Sequence, residues 1–233
     1  MRPRAHGWLL ALAVLIPVLL VPAAPSAGEA AGPCPPAPSA PAAVPPAPSA
    51  PAGAAEPTPA EPAPDEILAC VGSEAITGGS FSHWAAIDRD SQTGAPKGQP
   101  VQSAAEAREE VLQFLISSGW VLGEARDLNI SVSVAQVRRD FDRVKTQQFP
   151  KTREFRAFLR SSGQTVADLL FRVRLNLLSD RIERHVSAGR RGSHKQQALS
   201  RFVKAFEAKW RQQTYCAPPY VIAADCGHVQ SIP

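Results

Sequence analysis

The sequence predicts a mainly α-helical protein, a multi-helix domain in which a short two-stranded ribbon joins the N- and C-terminal ends. Three observations predict it. Hydroxyl residues followed three positions later by Glu, Gln or Asp recur ahead of apolar runs, the pattern of helix capping boxes. Behind each of them, apolar residues repeat at spacings of three and four, which puts them on one helix face. Only two stretches read as strands, the one around Leu68 to Val71 and Tyr220-Val221-Ile222-Ala223, and their places at opposite ends of the domain lead us to expect them to pair.

Composition sets the domain limits. Of 23 prolines in 233 residues, 13 fall within positions 33–64, where 11 further residues are alanine, so this window cannot build a core. It separates an N-terminal apolar segment from residues 65–233, which are numerous enough to bury roughly 70% of the surface of the unfolded chain. A single apolar run excludes a polytopic membrane protein, and an aromatic content of 6% argues against a sugar-binding or antibody-like β-protein.

At the N-terminus, Arg2 and Arg4 precede the apolar run 8–21, and Pro22 to Ala27 follow it with small residues. This is the layout of a secretory signal, assigned to residues 1–27. As a helix the run would be about 21 Å long, short of a hydrocarbon core of about 30 Å, so cleavage is expected rather than retention as an anchor. Membrane contact is expected only through this segment, if it stays uncleaved. Residues 28–64 form a Pro/Ala-rich linker in which Pro36-Ala37-Pro38-Ser39-Ala40-Pro41-Ala42 is repeated ten positions later. In polyproline II form the proline-rich window would reach about 100 Å, as a stalk or as an extension without a role. Neither Cys34, after Ala31-Gly32-Pro33, nor the remote Ile67-Leu68-Ala69-Cys70 is a credible lipidation site.

In the domain, Ile67, Leu68, Cys70 and Val71 make a short strand, broken at Gly72-Ser73, and the pattern turns helical from Thr77. Ser103-Ala104-Ala105-Glu106 caps a helix carrying Val111, Phe114, Leu115, Ser118, Val121, Leu122 and Ala125, which ends at Leu128-Asn129. Ser133-Val134-Ala135-Gln136 caps the next, with Val137, Phe141 and Val144, and Phe149-Pro150 stops it. A short helix bears Phe155, Phe158 and Leu159 and stops at Gly163. Thr165-Val166-Ala167-Asp168 caps a helix whose buried stripe is expected to be Leu169, Leu170, Val173, Leu177, Leu178, Ile182 and Val186. The last helix shows Leu199, Phe202, Val203, Phe206 and Trp210. The body thus divides into residues 65–186, a link at 187–194, and a terminal helix and tail at 195–233.

Charge is segregated: residues 65–137 carry a net −6 and residues 138–211 a net +12. The basic residues alternate with the apolar stripes, as solvated helix faces do. A second reading is contact with acidic polymers, membrane surface or client proteins, while nucleic acid is not expected as the partner of an exported chain. The four cysteines allow three complete pairings. Cys216 and Cys226 are the best-placed pair, closing a short loop around Pro218-Pro219; staying reduced, or holding a metal with His228, is the alternative. Cys70 is left to pair elsewhere, and Cys34 to remain free.

No nucleophile elbow, P-loop, dinucleotide fingerprint, paired-histidine zinc helix or Cys-x-x-Cys occurs. Asp88-Arg89-Asp90-Ser91-Gln92-Thr93-Gly94 imitates the start of a calcium loop, but Thr93 and Gln99 stand where glycine and glutamate are required. His83, His185, His194 and His228 lack ligand spacing. No catalytic residue, metal or cofactor is expected.

Val71-Gly72-Ser73-Glu74-Ala75-Ile76-Thr77, Val111-Leu112-Gln113-Phe114-Leu115-Ile116, Val121-Leu122-Gly123-Glu124-Ala125, Asn129-Ile130-Ser131-Val132-Ser133, Phe155-Arg156-Ala157-Phe158-Leu159 and Gly163-Gln164-Thr165 occur in this order. Together they resemble the N-terminal chaperone module of the SurA and PrsA class of extracytoplasmic foldases. The resemblance covers residues 67–186, and the last helix with its tail looks like the C-terminal helix and return strand of those proteins. Ser73 and Ala75 depart from the glycine and proline common there. The resemblance implies a parvulin prolyl isomerase domain between the last two helices, yet residues 187–194 leave no room for a unit of about 50 residues or more. What it then implies is a holdase-type chaperone for unfolded exported polypeptides that is not an enzyme, with a structural or regulatory envelope protein as the alternative and an isomerase as the least expected. Trp84, Phe114, Trp120 and Phe149 are its candidate client contacts, provided they line a groove and are not in the core.

Overall fold

Ile67–Val71 form β1, and all five residues are buried, as expected of a strand covered on both faces rather than one. The computed structural model describes Cys34, residues 61–93, residues 102–230 and Ile232. The expected signal segment, most of the Pro/Ala-rich linker, and Gln99 of the rejected calcium loop lie outside the described residues. β1 pairs antiparallel with β2 (Glu74–Thr77), Val71 standing opposite Glu74. The two-residue loop between them places Gly72 at φ 57°, a backbone that favours glycine at the first loop position.

On its other edge β1 takes β3 (Thr214–Cys216), antiparallel, with Val71 opposite Thr214 and Ala69 opposite Cys216. β4 (His228–Val229) then adds parallel to β3, giving the order β2-β1-β3-β4. The sheet does join the two ends of the domain, but with four strands where a two-stranded ribbon was expected. The return strand is also displaced: Tyr220 belongs to a 3-10 turn over Pro218–Tyr220, and Val221 is exposed. Prolines at 218 and 219 supply no N–H to a ladder, so the chain turns there, and Tyr220 and Ile222 pack into the core without pairing.

Six helices make up the rest of the described body. α1 (Gly78–Thr93) buries Phe81, Trp84 and Ile87 at three-residue spacing. Its first turn runs under residues 63 and 64; a Cβ on Gly78 would lie 2.0 Å from the Ala63 carbonyl oxygen, so only glycine fits. α2 (Ala104–Asp127) starts with the expected box, in which Ser103 and Glu106 each bond the other's backbone N–H. It ends as expected, Asn129 taking φ 54°. α3 (Val134–Gln148) has half a box: Ser133 Oγ accepts from the Gln136 N–H at 3.1 Å, while the Gln136 side chain accepts from Arg181 instead.

α4 (Thr152–Ser162) stops at Gly163, which is left-handed at φ 63°. α5 (Val166–Ser187) opens with the Thr165–Asp168 box, and α6 (Gly192–Gln212) follows it after only four residues. α6 therefore begins three residues before the expected start at 195. The α5 stripe is also shifted: Leu175, Leu178 and Ile182 are its buried apolar residues, while Leu169, Leu170, Val173, Leu177 and Val186 are half-buried. Val203, expected in the α6 stripe, is 45% exposed.

The main core lies between the sheet, α1, α2 and the tail, around Leu68, Val71, Ile116 and Trp120. A second cluster under α3 and α4 is built on Phe141 and Phe155. A third joins Ala125 of α2 to Leu178 and Ile182 of α5. α5 touches all three, so its apolar residues cannot all share one stripe.

Candidate functional site

Where α3 packs on α5 the surface opens into a cleft of about 480 Å³, lined by Val132, Val134, Val137, Arg138, Leu170, Phe171 and Arg174. The cap at Ser133 starts α3 and brings Val134, Val137 and Arg138 onto the cleft-facing side of its first turns, while α5 contributes Arg174 together with Leu170 and Phe171, four and three residues before it. Val137 is buried, but Val134 is 68% exposed, the most exposed large apolar residue described.

Behind Phe171 stand two of the expected contact residues. Trp84 and Phe114 meet edge to face at 4.7 Å, and the Phe171 ring lies 6.2 Å from Trp84 and 6.4 Å from Phe114. The Arg172 guanidinium covers both Trp84 and Phe114 at 4.8 Å, a cation–π arrangement. Its Nε is buried with no hydrogen-bond partner. Burial pulls the Arg172 guanidinium below its ordinary value, and the charge of Asp168 opposes that shift. Burial opposes ionisation of Asp168 in turn, yet hydrogen bonds from Thr165 and His83 prevail and hold its carboxyl below the ordinary carboxylate value. The His83 ring nitrogen is 2.8 Å from Asp168 Oδ1, tying α1 to the first turn of α5. A smaller hollow of about 210 Å³ sits here, with Asp88, Glu110 and Arg172 among its walls.

Of the four expected client contacts, Trp84 and Trp120 are buried in the main core, and Phe114 is half-buried against it. Phe149 is half-buried in the second cluster, against Phe155 and Phe158. Only Trp84 and Phe114 come together; Trp120 contacts Phe206 and donates from Nε1 to Thr214 Oγ1 at 2.8 Å. The cleft residues themselves escaped the sequence reading. One signal could have found them: Leu169-Leu170-Phe171 is broader than a single helix stripe, so part of it had to face away from the core.

α2 is fastened to α6 by a polar cluster that the sequence does not advertise. Glu124 is buried and accepts from Lys209 Nζ at 2.6 Å and from Trp210 Nε1 at 2.7 Å. Lys209 also reaches Asp127 at 2.6 Å. Burial lowers the affinity of Lys209 for its proton, but Asp127 and Glu124 outweigh it and raise its pKa above the ordinary value.

All four cysteines are paired, Cys216 with Cys226 as expected and Cys34 with Cys70. Cys34 is therefore not free: the second bond ties it to Cys70 of strand β1 across a sequence separation of 36. The His228 ring stacks on Tyr215 at 4.6 Å, and among the described residues no group of His, Cys, Asp and Glu is placed to share a metal ion. No family model matches this chain, and neither a curated protein nor a solved structure shows significant similarity to it.

Proposed function

We propose that this protein is an extracytoplasmic holdase-type chaperone that binds unfolded or partly folded exported polypeptides and has no isomerase activity. The observation that carries the reading is the cleft between α3 and α5, an open apolar floor with Val134 left exposed at its edge. An exposed apolar surface in a concave setting is a feature of interaction sites more than of inert surface. Two disulfides are compatible with an oxidising extracytoplasmic space, and no helix among the described residues is long and apolar enough to cross a membrane. The ordered motifs that resemble the SurA N-terminal module support a fold of that kind, and the four residues between α5 and α6 leave no space for an inserted parvulin domain.

The burial of Trp84 and Trp120 favours a second reading, a structural or regulatory envelope protein, since neither ring is available to a client as the chain stands. The two readings part in an aggregation assay. A chemically denatured model protein is diluted into buffer with a molar excess of the full chain, at low and at high salt. The chaperone reading expects suppression at both, weaker at high salt as charges are screened over a Debye length of about 8 Å or less. No suppression at either salt assigns the protein to the structural reading.

A further inference from the structure

Resting on the chaperone reading, we infer that the α3–α5 cleft selects polypeptide segments in which apolar side chains are flanked by carboxylates. The apolar half of the cleft is the floor of Val132, Val137, Leu170 and Phe171, and the cleft's volume lies within the range of pockets that take a ligand. The charged half is Arg138 and Arg174. Both line the cleft, and neither has a hydrogen bond, ion pair or ring contact among the described residues.

The acids on the same helices do not neutralise them. On α3 Asp140 pairs with Arg143 and Asp142 with Lys145; on α5 Asp168 pairs with His83 and Glu183 with Lys195, and Asp180 follows Arg174 by six residues, which puts it on another face of the helix. Two guanidinium groups beside an open apolar floor therefore have no salt-bridge partner among the described residues, and a guanidinium fork suits a carboxylate in two-point contact. The concave apolar floor distinguishes this from a general polyanion surface, because a flat membrane headgroup layer or a rigid polymer would meet the arginines while leaving Val137 and Phe171 untouched. A flexible peptide satisfies both.

The test is fluorescence anisotropy of the full, oxidised chain with two fluorescein-labelled peptides of equal length, one with the core Glu-Leu-Phe-Asp and one with Lys-Leu-Phe-Lys. The acidic peptide is expected to bind about tenfold tighter, the preference shrinking at high salt. Arg138→Gln with Arg174→Gln should remove most of that preference, and Val134→Asp should weaken both peptides. The substituted side chains lie on the surface of the cleft, and circular dichroism checks that each variant folds. If a variant does not fold, photocrosslinking of the acidic peptide from a benzoylphenylalanine at position 134 replaces it; labelling by the lysine peptide to the same extent would overturn the inference. Equal affinity for both peptides, an unchanged preference in the double variant, or tighter binding to phosphatidylglycerol vesicles than to the acidic peptide would each overturn it too. Suppression of aggregation that survives in a chain without peptide selectivity removes this site and leaves the chaperone reading standing. Selective, cleft-dependent peptide binding without suppression keeps the site and removes the chaperone reading.

Discussion

Replacing Gly123 by alanine would drive a methyl group into the ring of Trp210. The new Cβ would lie 2.0 Å from Cη2, 2.6 Å from Cζ3 and 2.7 Å from Cζ2, where carbon atoms rest comfortably at about 3.5 to 4.0 Å. The ring must move by more than an ångström, and it is 3% exposed, so it has no free direction to take. Overpacking of this kind costs about 1 to 3 kcal/mol. Any tilt also stretches the 2.7 Å bond from Trp210 Nε1 to the buried Glu124 carboxylate, and hydrogen bonds to charged groups contribute about 1.5 to 3 kcal/mol. Together these give a loss of about 2.5 to 6 kcal/mol against a typical total of about 5 to 15, or a fall in Tm of about 10 °C for a domain of this size. Urea unfolding of the full chain, followed by far-ultraviolet circular dichroism, measures it. Trp210→Phe supplies the control, since phenylalanine lacks all three clashing atoms and the indole N–H. In that background Gly123→Ala should cost less than about 1 kcal/mol. An equal cost in both backgrounds, or a loss under about 1 kcal/mol in the native one, would refute the reasoning.

Three further outcomes are expected. Burial raises the pKa of Asp225, and its Oδ2 is buried without a partner, so the ionised form is disfavoured in the folded state. The resulting penalty is absent below the unfolded carboxylate value of about 3.9 and develops as pH rises through the higher folded one. Asp225→Asn should therefore raise Tm by about 2 °C at pH 7, a modest shift because solvent screens the site, and change nothing at pH 3; a gain of equal size at both would exclude the carboxylate as its source. Cys34→Ser opens the bond to Cys70, which on a loop-entropy model contributes about 4 kcal/mol, so thermal unfolding should shift well below that of the native chain. Peptide mapping without reduction should recover the pairs Cys34–Cys70 and Cys216–Cys226, and recovery of alkylated free thiols from folded protein would contradict both.

What sequence alone determined here is local. The Ser103 and Thr165 boxes, the left-handed stops at Asn129 and Gly163, and the end of α3 before Pro150 depend on hydrogen bonds and backbone sterics within a few residues, and those are written in adjacent letters. The short Cys216–Cys226 loop was legible for the same reason. Tertiary structure decided whatever depends on a partner far along the chain. Gln136 left its cap for Arg181, Thr214–Cys216 took the place beside β1 that the more apolar Tyr220-Val221-Ile222-Ala223 was expected to fill, and Cys34 found Cys70. A three-residue strand gains its stability from a ladder and from the Trp120–Thr214 bond, so its letters carry almost no periodic signal. The candidate site divides in the same way. Trp84, Phe114, Trp120 and Phe149 stood out in the sequence because they are large and apolar, which is also what drives such side chains into cores. The cleft arises because α5 packs against three clusters at once, Leu170 against the second and Phe171 against the main core, so that both remain half-buried and line the cleft with Val134, a juxtaposition set by helix packing and invisible to spacing along one helix.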